Sequence, residues 1–288
     1  MVLMDPMILP MKLAMRQVVK PWGRADVPAP FHNPGPERIG EIWFEVDGSA
    51  SPSLPPLALL IKYLFTSERL SIQVHPSDTE AQAMGLASGK EECWLVLDAE
   101  PGATLGIGTV RAMSGVELRS AALDGSIEQL LDWRPVERGD FFYIPAGTVH
   151  AIGAGVCLIE IQQNADITYR LYDYGRPREL HLDRGVAVSK AEPYSHPLRK
   201  RVDLSVDQTL VDGPLFKVLL TGDAPQTLAG SGPLFVIPLE GHASAQSDSG
   251  LLTAAAGECL AVNPDAAYQA SSGARLLLAR ANQIGQTA

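Results

Sequence analysis

The stretch Gly139–Gly153, GDFFYIPAGTVHAIG, decides how the rest of the chain is read. It opens on a glycine, runs through an apolar and aromatic segment, turns on Pro145 and Gly147, and delivers His150 at the head of a second apolar segment. Short apolar runs divided by a Pro/Gly turn are the marks of two strands joined by a tight connection. His150 is then either a strand-end histidine bonded to backbone or a metal ligand aimed between sheets. The stretch alone leaves both open.

A second position of the same kind lies upstream. SIQVHPSD places Gln73 and His75 two apart on a predicted strand, and side chains at i and i+2 share a face. Glu80, Glu91, Glu92 and Glu160 supply carboxylates nearby. Two neutral imidazoles, a carboxylate and an amide oxygen form a hard-to-borderline donor set. Such a set suits Zn2+, Fe2+ or Mn2+ with a position open to water or substrate.

Outward from these motifs the chain reads as mostly β. Ile39–Val46 is a predicted strand, and Leu57–His75 holds two strands around a turn at Ser67-Glu68. CWLVLD, GDFFYIP and GVCLIEIQQ continue the pattern, with glycine and proline spread along the chain as punctuation. A helix is expected from Asp78 to about Leu86, capped by Asp78 and stopped by Gly85 and Gly89, and a second within Ser114–Leu131. From about Lys200 charge thins and small residues dominate, while apolar runs such as LFKVLL, PLFVIPL and ARLLLARA recur. A second β domain therefore begins near residue 200, after KAEPYSHPLRKR. Gly257 and Tyr268 repeat the spacing of Gly139 and His150, with Pro264 in the intervening turn, so the halves read as a loose internal repeat.

The composition narrows function. The 288 residues are 46% hydrophobic and 19% charged, which is globular, and 33 acidic residues against 23 basic ones give a net charge of -10. That balance argues against nucleic acid and anionic membranes as partners, but not against an anionic small molecule met by a few local cations. Cys93, Cys157 and Cys259 form no CxxC pair, so neither a disulfide framework nor a thiolate zinc site is expected. The opening MVLMDPMILPMKLAMRQ is broken by Asp5, Pro6 and Pro10 and does not read as a signal peptide. No apolar run approaches the roughly 18 residues of a membrane span, so a cytoplasmic protein is expected.

The spacing Gly139-x5-Pro145-x-Gly147-x2-His150 resembles the second motif of the cupins, although Ala154 stands where that family usually has Asn. The first cupin motif, His-x-His, is met here as Gln73-Val-His75, and generic cupin spacing nominates Glu80 as the carboxylate. A wider set of blocks occurs in order across roughly residues 18–185. These are KPWG (Lys20–Gly23), GEIWF (Gly40–Phe44), LSIQVHPSD (Leu70–Asp78), GKEECW (Gly89–Trp94), IPAGTVHAIGAG (Ile144–Gly155) and EIQQNADITYRLYDYGR (Glu160–Arg176). Together they resemble type I mannose-6-phosphate isomerase in its short bacterial form.

The resemblance implies two cupin-like β-barrel (jelly-roll) domains with a few short helices, a catalytic one over 1–200 and a metal-free one over 201–288. It implies one Zn2+ per chain, held by Gln73, His75, Glu92 and His150. The carboxylate then lies in GKEECW; Glu80 falls in a predicted helix, whereas Glu92 opens a strand whose face continues to Trp94 and Val96, with Glu91 opposite. It further implies interconversion of mannose 6-phosphate and fructose 6-phosphate through a cis-enediol. Arg170 would stabilise the enediolate oxygens, Glu160 and Lys90 would handle protons or hydroxyls, and Ser71 and Lys62 would bind phosphate. From the residues alone, Glu160 could equally pair with Arg170, and Lys62 could be a rim lysine with its head in water. Ala165 departs from the family's Ser. The partner implied is a sugar phosphate, with no nucleic acid and no membrane, and the chain a monomer or homodimer. A non-catalytic sugar-phosphate-binding cupin and an Fe or Mn cupin oxygenase are the rival readings.

Overall fold

Burial on two sides explains the strands that carry the site. In the computed structural model, which describes residues 9–47, 57–263 and 267–282, Leu59–Phe65 and Val156–Gln163 are buried along their whole length. A strand covered on both faces needs a continuous apolar run rather than alternation. LLIKYLF and VCLIEIQQ are such runs, and the charges inside them, Lys62 and Glu160, are therefore exceptions that need partners.

In chain order the elements are β1 (Met11–Lys12), β2 (Ala14–Arg24), β3 (Ile39–Glu45), β4 (Leu59–Phe65), β5 (Ile72–Val74), α1 (Asp78–Ala83), β6 (Glu92–Ala99), β7 (Thr104–Thr109), α2 (Gly115–Asp124), α3 (Ile127–Leu130), β8 (Leu131–Pro135), β9 (Asp140–Ile144), β10 (His150–Ile152), β11 (Val156–Gln163), β12 (Tyr169–Tyr172) and α4 (Leu182–Val188). They continue with β13 (Lys200–Arg201), β14 (Gln208–Asp212), β15 (Phe216–Thr221), β16 (Ser231–Glu240), β17 (His242–Ser247), β18 (Gly250–Ala255), β19 (Leu260–Val262), β20 (Tyr268–Ala270) and β21 (Arg275–Ala281).

Four sheets stack in layers. A seven-stranded sheet (β13-β9-β6-β11-β4-β3-β2) faces a five-stranded one (β12-β5-β10-β7-β8). Trp94, Phe142 and Leu158 of the first pack against Leu105, Ile107 and Ile152 of the second. The outer face of the five-stranded sheet is covered by the helices, through Leu118, Ala122 and Ile127 on Ile72, Val74 and Leu171. The other face of the seven-stranded sheet shares a core with a six-stranded sheet (β1-β19-β16-β21-β15-β14), where Ile61, Leu95 and Ile159 meet Phe216, Phe235 and Leu277. A three-stranded sheet (β18-β17-β20) closes the stack through Ala243, Ala245 and Tyr268 on Val236 and Leu278. The expected mostly β, cupin-type architecture is thus present as two pairs of facing sheets. Among the described residues, strand pairing closes neither pair into a barrel. The chain also crosses between the halves: β1 pairs with β19, and β13 pairs with β9.

Both expected helical regions are helical, with corrections. The cap of α1 is Ser77, not Asp78: Ser77 Oγ accepts from the Glu80 N–H, and Glu80 Oε2 accepts from the Ser77 N–H at 2.8 Å, a capping box. Asp78 instead accepts from the Gly89 N–H at 2.8 Å and from Gln163 Nε2 at 2.9 Å. The helix ends at Ala83, short of Leu86. The region Ser114–Leu131 divides into α2 and α3 at Gly125, whose φ of 82° ends the first piece. The α4 helix was not expected; its cap position is held by His181, which makes no side-chain cap bond, rather than by Ser, Thr, Asp or Asn. In the loose repeat, Gly139 (φ +90°) and Gly257 (φ +84°) both take the left-handed conformation, and Tyr268 opens β20 as His150 opens β10. Pro264, Asp5 and Pro6 lie outside the described residues. Among those described, no helix is long and apolar enough to cross a membrane.

Candidate active site

Strand register brings the motif residues together. On the five-stranded sheet, Gln73 stands directly opposite His150 on one side and Arg170 on the other. Directly opposed residues point to the same face, so the three side chains form a row, and His75 continues it along the chain. On the facing sheet Glu160 is opposed by Lys62 and Trp94, and Lys62 by Trp43. Glu92 lies two before Trp94 on the same face. Two polar rows therefore look at each other across a gap that is otherwise apolar.

Three of these residues converge. Glu92 Oε2 lies 3.6 Å from His75 Nε2, and Glu92 Oε1 lies 3.5 Å from His150 Nε2. Both imidazoles are oriented from behind: His75 Nδ1 is 2.7 Å from the Ile167 carbonyl and His150 Nδ1 is 2.9 Å from the Thr148 carbonyl. A carbonyl only accepts, so each Nδ1 carries the proton and each Nε2 presents a lone pair to the centre. Gln73 Nε2 is 3.3 Å from His150 Nε2, while its Oε1 accepts from Ser71 Oγ at 3.1 Å. Exchanging the amide oxygen and nitrogen, which the Ser71 hydroxyl equally permits, turns the carbonyl oxygen toward the cluster.

The donor set fits a metal ion. His75 Nε2 and both Glu92 oxygens are buried without a hydrogen-bond partner, an arrangement that native interiors rarely leave uncompensated. Lys90 Nζ, 2.9 Å from Glu92 Oε2, is a charge contact outside good hydrogen-bond direction. The ligand atoms of His75, Glu92 and His150 all lie within 4.8 Å of one another. Donors at about 2.1 Å around a tetrahedral ion stand roughly 3.4 Å apart, close to the spacings seen. Burial holds His75 well below the usual histidine range and His150 down to about 4, so both are neutral, the ligating form. Burial, then the Glu160 charge, push Glu92 up to about 7 against the pull of Lys90 and Lys62.

Beside the cluster runs a ladder of alternating buried charges. Glu160 Oε1 is 3.3 Å from Lys62 Nζ and 3.8 Å from Lys90 Nζ, and Glu160 Oε2 accepts from Trp94 Nε1 at 2.9 Å. Burial opposes ionisation of Glu160, but Lys90 and Lys62 outweigh it and hold the carboxyl below its usual range. Burial, then repulsion from Lys90, lowers Lys62, which also lies 4.4 Å over the Trp43 ring. Glu41 accepts from Trp43 Nε1 and pairs with Lys20 at 3.4 Å, extending the ladder to the surface.

The open alternatives now divide. Glu160 does not pair with Arg170, whose Nη1 donates to the Glu179 carbonyl at 3.1 Å. Lys62 is 5% exposed rather than a rim lysine in water, and its burial is already matched by Glu160. Glu80 is committed to its cap, and Glu91 faces away, accepting from Tyr143 OH at 2.5 Å. Ser71, Gln73, Lys62, Lys90, Glu160 and Arg170 line one cavity of about 420 Å3. His75, Glu92 and His150 adjoin it through Gln73 and Lys90. Sequence reasoning missed Trp43, Trp94, Arg178 and His181 on its wall, and the Ile167 and Thr148 carbonyls behind the imidazoles. A backbone carbonyl leaves no mark in a sequence, and an indole N–H used as a donor reads only as a core tryptophan.

No family model matches the chain. Curated relatives do. It is 42% identical over 150 residues to a mannose-6-phosphate isomerase of Streptococcus mutans, covering 50% of this chain and 46% of that one. It is 39% identical over 170 residues to mannose-6-phosphate isomerase ManA of Bacillus subtilis, covering 56% of this chain and 54% of that one. The matches thus span about half the length of these relatives. A crystal structure of mannose 6-phosphate isomerase from Bacillus subtilis superposes with a TM-score of 0.71, over 94% of this chain and 99% of that one, at 24% identity. The chain has the phosphomannose isomerase fold. A phosphomannose isomerase variant from Salmonella typhimurium shares it at a TM-score of 0.67 and 16% identity. At such identities it is the phosphomannose isomerase fold, C-terminal sheets included, that is shared, and the sequence matches bear on about half of the chain.

Proposed function

We propose that the chain is a zinc-dependent aldose–ketose isomerase that interconverts mannose 6-phosphate and fructose 6-phosphate in the cytoplasm. The observation that carries this reading is the buried convergence of His75, Glu92 and His150, in which His75 Nε2 has no hydrogen-bond partner, beside the Lys62–Glu160–Lys90 ladder and Arg170. Similarity to named mannose-6-phosphate isomerases supports the substrate pair.

Gln73, His75, Glu92 and His150 would hold the zinc, which when bound supplies Lewis acidity and orients oxygen ligands at the gap. The isomerisation moves one proton between C2 and C1, with a second proton exchanged between O1 and O2, through a cis-enediol. Arg170 offers a fixed guanidinium to the oxygens where negative charge develops. Lys90 sits between two carboxylates, and Glu92 and Glu160 raise its affinity for a proton against its burial, so it holds a hydroxyl as a donor. Glu160, kept ionised by two ammoniums, is placed to accept a proton at Oε1 and return it. Ser71 and Lys62 are assigned to the phosphate end of the substrate.

The test is zinc-loaded protein with fructose 6-phosphate in D2O, followed by NMR. Mannose 6-phosphate carrying deuterium at C2 is expected, and Arg170→Ala and His150→Ala should each lose about 100-fold or more in turnover. Binding of the sugar phosphate with no isomerisation would replace this reading with that of a non-catalytic sugar-phosphate cupin.

A further inference from the structure

We propose that His181 is a positioning residue for Arg170, holding its main chain through ring nitrogen Nδ1; the consequence for turnover rests on the isomerase reading above. Arg170 lies on β12, the edge strand of the five-stranded sheet. It stands opposite Gln73, and the register shifts between Arg170 and Tyr172. A bulge re-aims the side chain beside it, and an edge leaves main-chain groups without a strand partner. Both main-chain groups of Arg170 turn outward to one residue. The His181 N–H donates to the Arg170 carbonyl at 2.8 Å, and the Arg170 N–H donates to His181 Nδ1 at 3.2 Å.

The imidazole does here what a backbone carbonyl does in a sheet. In a hydrogen-bonded antiparallel pair two residues exchange both N–H···O bonds, so the carbonyl of residue 181 would take the Arg170 N–H. That carbonyl is committed elsewhere: it accepts from the Gly185 N–H at 2.7 Å, a bond of the first turn of α4. The His181 side chain stands at the cap position of α4 yet makes no cap bond, and it is spent on β12 instead. The helix is seated closely enough to hold the ring in place. A Cβ at Gly185 would lie 2.7 Å from Leu171 Cδ2 and 3.3 Å from Tyr169 Cβ, so α4 rests directly on the strand that carries Arg170.

Donor direction fixes the state of the ring. A backbone N–H only donates, so Nδ1 presents its lone pair and Nε2 carries the proton. An imidazolium would set two N–H groups against each other. The surroundings favour the neutral ring: burial, then the Arg170 charge, lowers His181, with Arg184 acting in the same sense and Glu179 against them. The same short segment holds the other end of Arg170, whose Nη1 donates to the Glu179 carbonyl at 3.1 Å. Residues 179–181 thus fix Arg170 at its N–H, its carbonyl and its guanidinium, and Arg170 and His181 line one cavity. A guanidinium that must meet developing charge needs such a frame, because a displacement of about 1 Å can cost about 100-fold in rate.

Hydrogen exchange and turnover test the bond and its consequence separately. In zinc-loaded protein, exchange of the Arg170 amide is followed by NMR, and isomerisation of fructose 6-phosphate is measured on the same samples. His181→Phe keeps a ring and removes the acceptor, whereas His181→Asn places a carbonyl oxygen near the place of Nδ1. His181→Phe should speed exchange of the Arg170 amide about 10-fold or more. It should lower kcat about 10- to 100-fold with a smaller change in KM. His181→Asn should recover most of both. Because His181 acts through Arg170, His181→Phe should cost little further turnover in an Arg170→Ala background. Equal Arg170 exchange in wild type and His181→Phe, no recovery in His181→Asn, or the full turnover loss repeated in Arg170→Ala overturns the proposal. A wild type that does not isomerise the sugar removes the isomerase reading, and the exchange pattern across the variants then decides the positioning by itself.

Discussion

Replacing Glu160 by Gln keeps the shape of the side chain and removes one charge from the buried ladder. Glu160 Oε1 sits 3.3 Å from Lys62 Nζ and 3.8 Å from Lys90 Nζ, with all three residues at most 5% exposed. At an effective dielectric of about 20, these distances correspond to attractions of about 5 and about 4 kcal/mol. Most of that offsets the desolvation of the charges. Lys90 keeps Glu92, but Lys62 is left with the Trp43 ring and no direct carboxylate. Leaving a buried charge unpaired costs about 3–5 kcal/mol, a large share of the roughly 5–15 kcal/mol that holds a domain folded.

The expected outcome has two parts. In urea unfolding of metal-free protein at pH 7, Glu160→Gln should lose about 3–5 kcal/mol, and adding Lys62→Met should restore most of it. The penalty should also shrink with pH. Lys62 is already lowered and falls further without Glu160, so between its folded and unfolded values the unfolded chain binds more protons and stability rises with pH. A loss under about 1 kcal/mol, or a double variant no better than the sum of its parts, would refute the ladder as an energetic unit.

Three further outcomes follow from the geometry. Zinc added to chelator-treated protein at about a thousandfold excess over Kd should raise Tm by about 5–10 °C in wild type and in Glu80→Gln, but not in Glu92→Gln; a differential scanning experiment decides it. Gly89→Ala should cost about 1–3 kcal/mol in urea unfolding and weaken zinc binding, because its Cβ would run into the backbone of Pro76 and Ser77 just before Lys90 and Glu92; wild-type stability would contradict this. Burial pushes the Cys157 thiol up to about 12, and Cys93 and Cys259 are also raised, so a thiol reagent at pH 8 should count no reactive cysteine until denaturant is added; fast labelling of the folded protein would contradict it.

Strand-borne features of the fold and site were legible because they rest on local pattern. The Pro145–Gly147 turn and the apolar segment after it placed His150 at a strand head, and the two-residue step from Gln73 to His75 placed both on one face. Glu92 was separable from Glu80 because one opens a strand and the other sits in a helix. What failed was what needs a third dimension. Asp78 looked like a cap as plausible as Ser77, yet it is drawn to Gln163, far along the chain. The partner of Glu160 could not be read because Lys62 and Lys90 meet it only through the pairing of β4, β6 and β11. Arg178 was invisible for the same reason, since nothing in GRPREL marks a residue two places before Leu180 as the one that folds back onto Asp173.

The C-terminal half shows what the site costs the fold that holds it. There the same glycine opens the turn, but Tyr268 takes the place of His150, and its hydroxyl accepts from the Gln226 N–H at 3.0 Å. Leu234, Val236, Leu276 and Leu278 fill the gap between those two sheets with hydrocarbon. The first half instead commits its gap to Glu92, Glu160, Lys62, Lys90 and two imidazoles, groups whose burial is unfavourable unless every charge is matched. Its seven-stranded sheet is held from the other side, where Ile61, Leu95, Phe141 and Ile159 share a continuous core with Phe216, Phe235 and Leu277. Ile61, Leu95 and Ile159 lie on the opposite face of strands that also carry a site residue, Ile61 beside Lys62 and Ile159 beside Glu160. A tyrosine at the turn and an apolar gap make the second pair of sheets a brace, and the first pair can then keep a charged interior without losing its register.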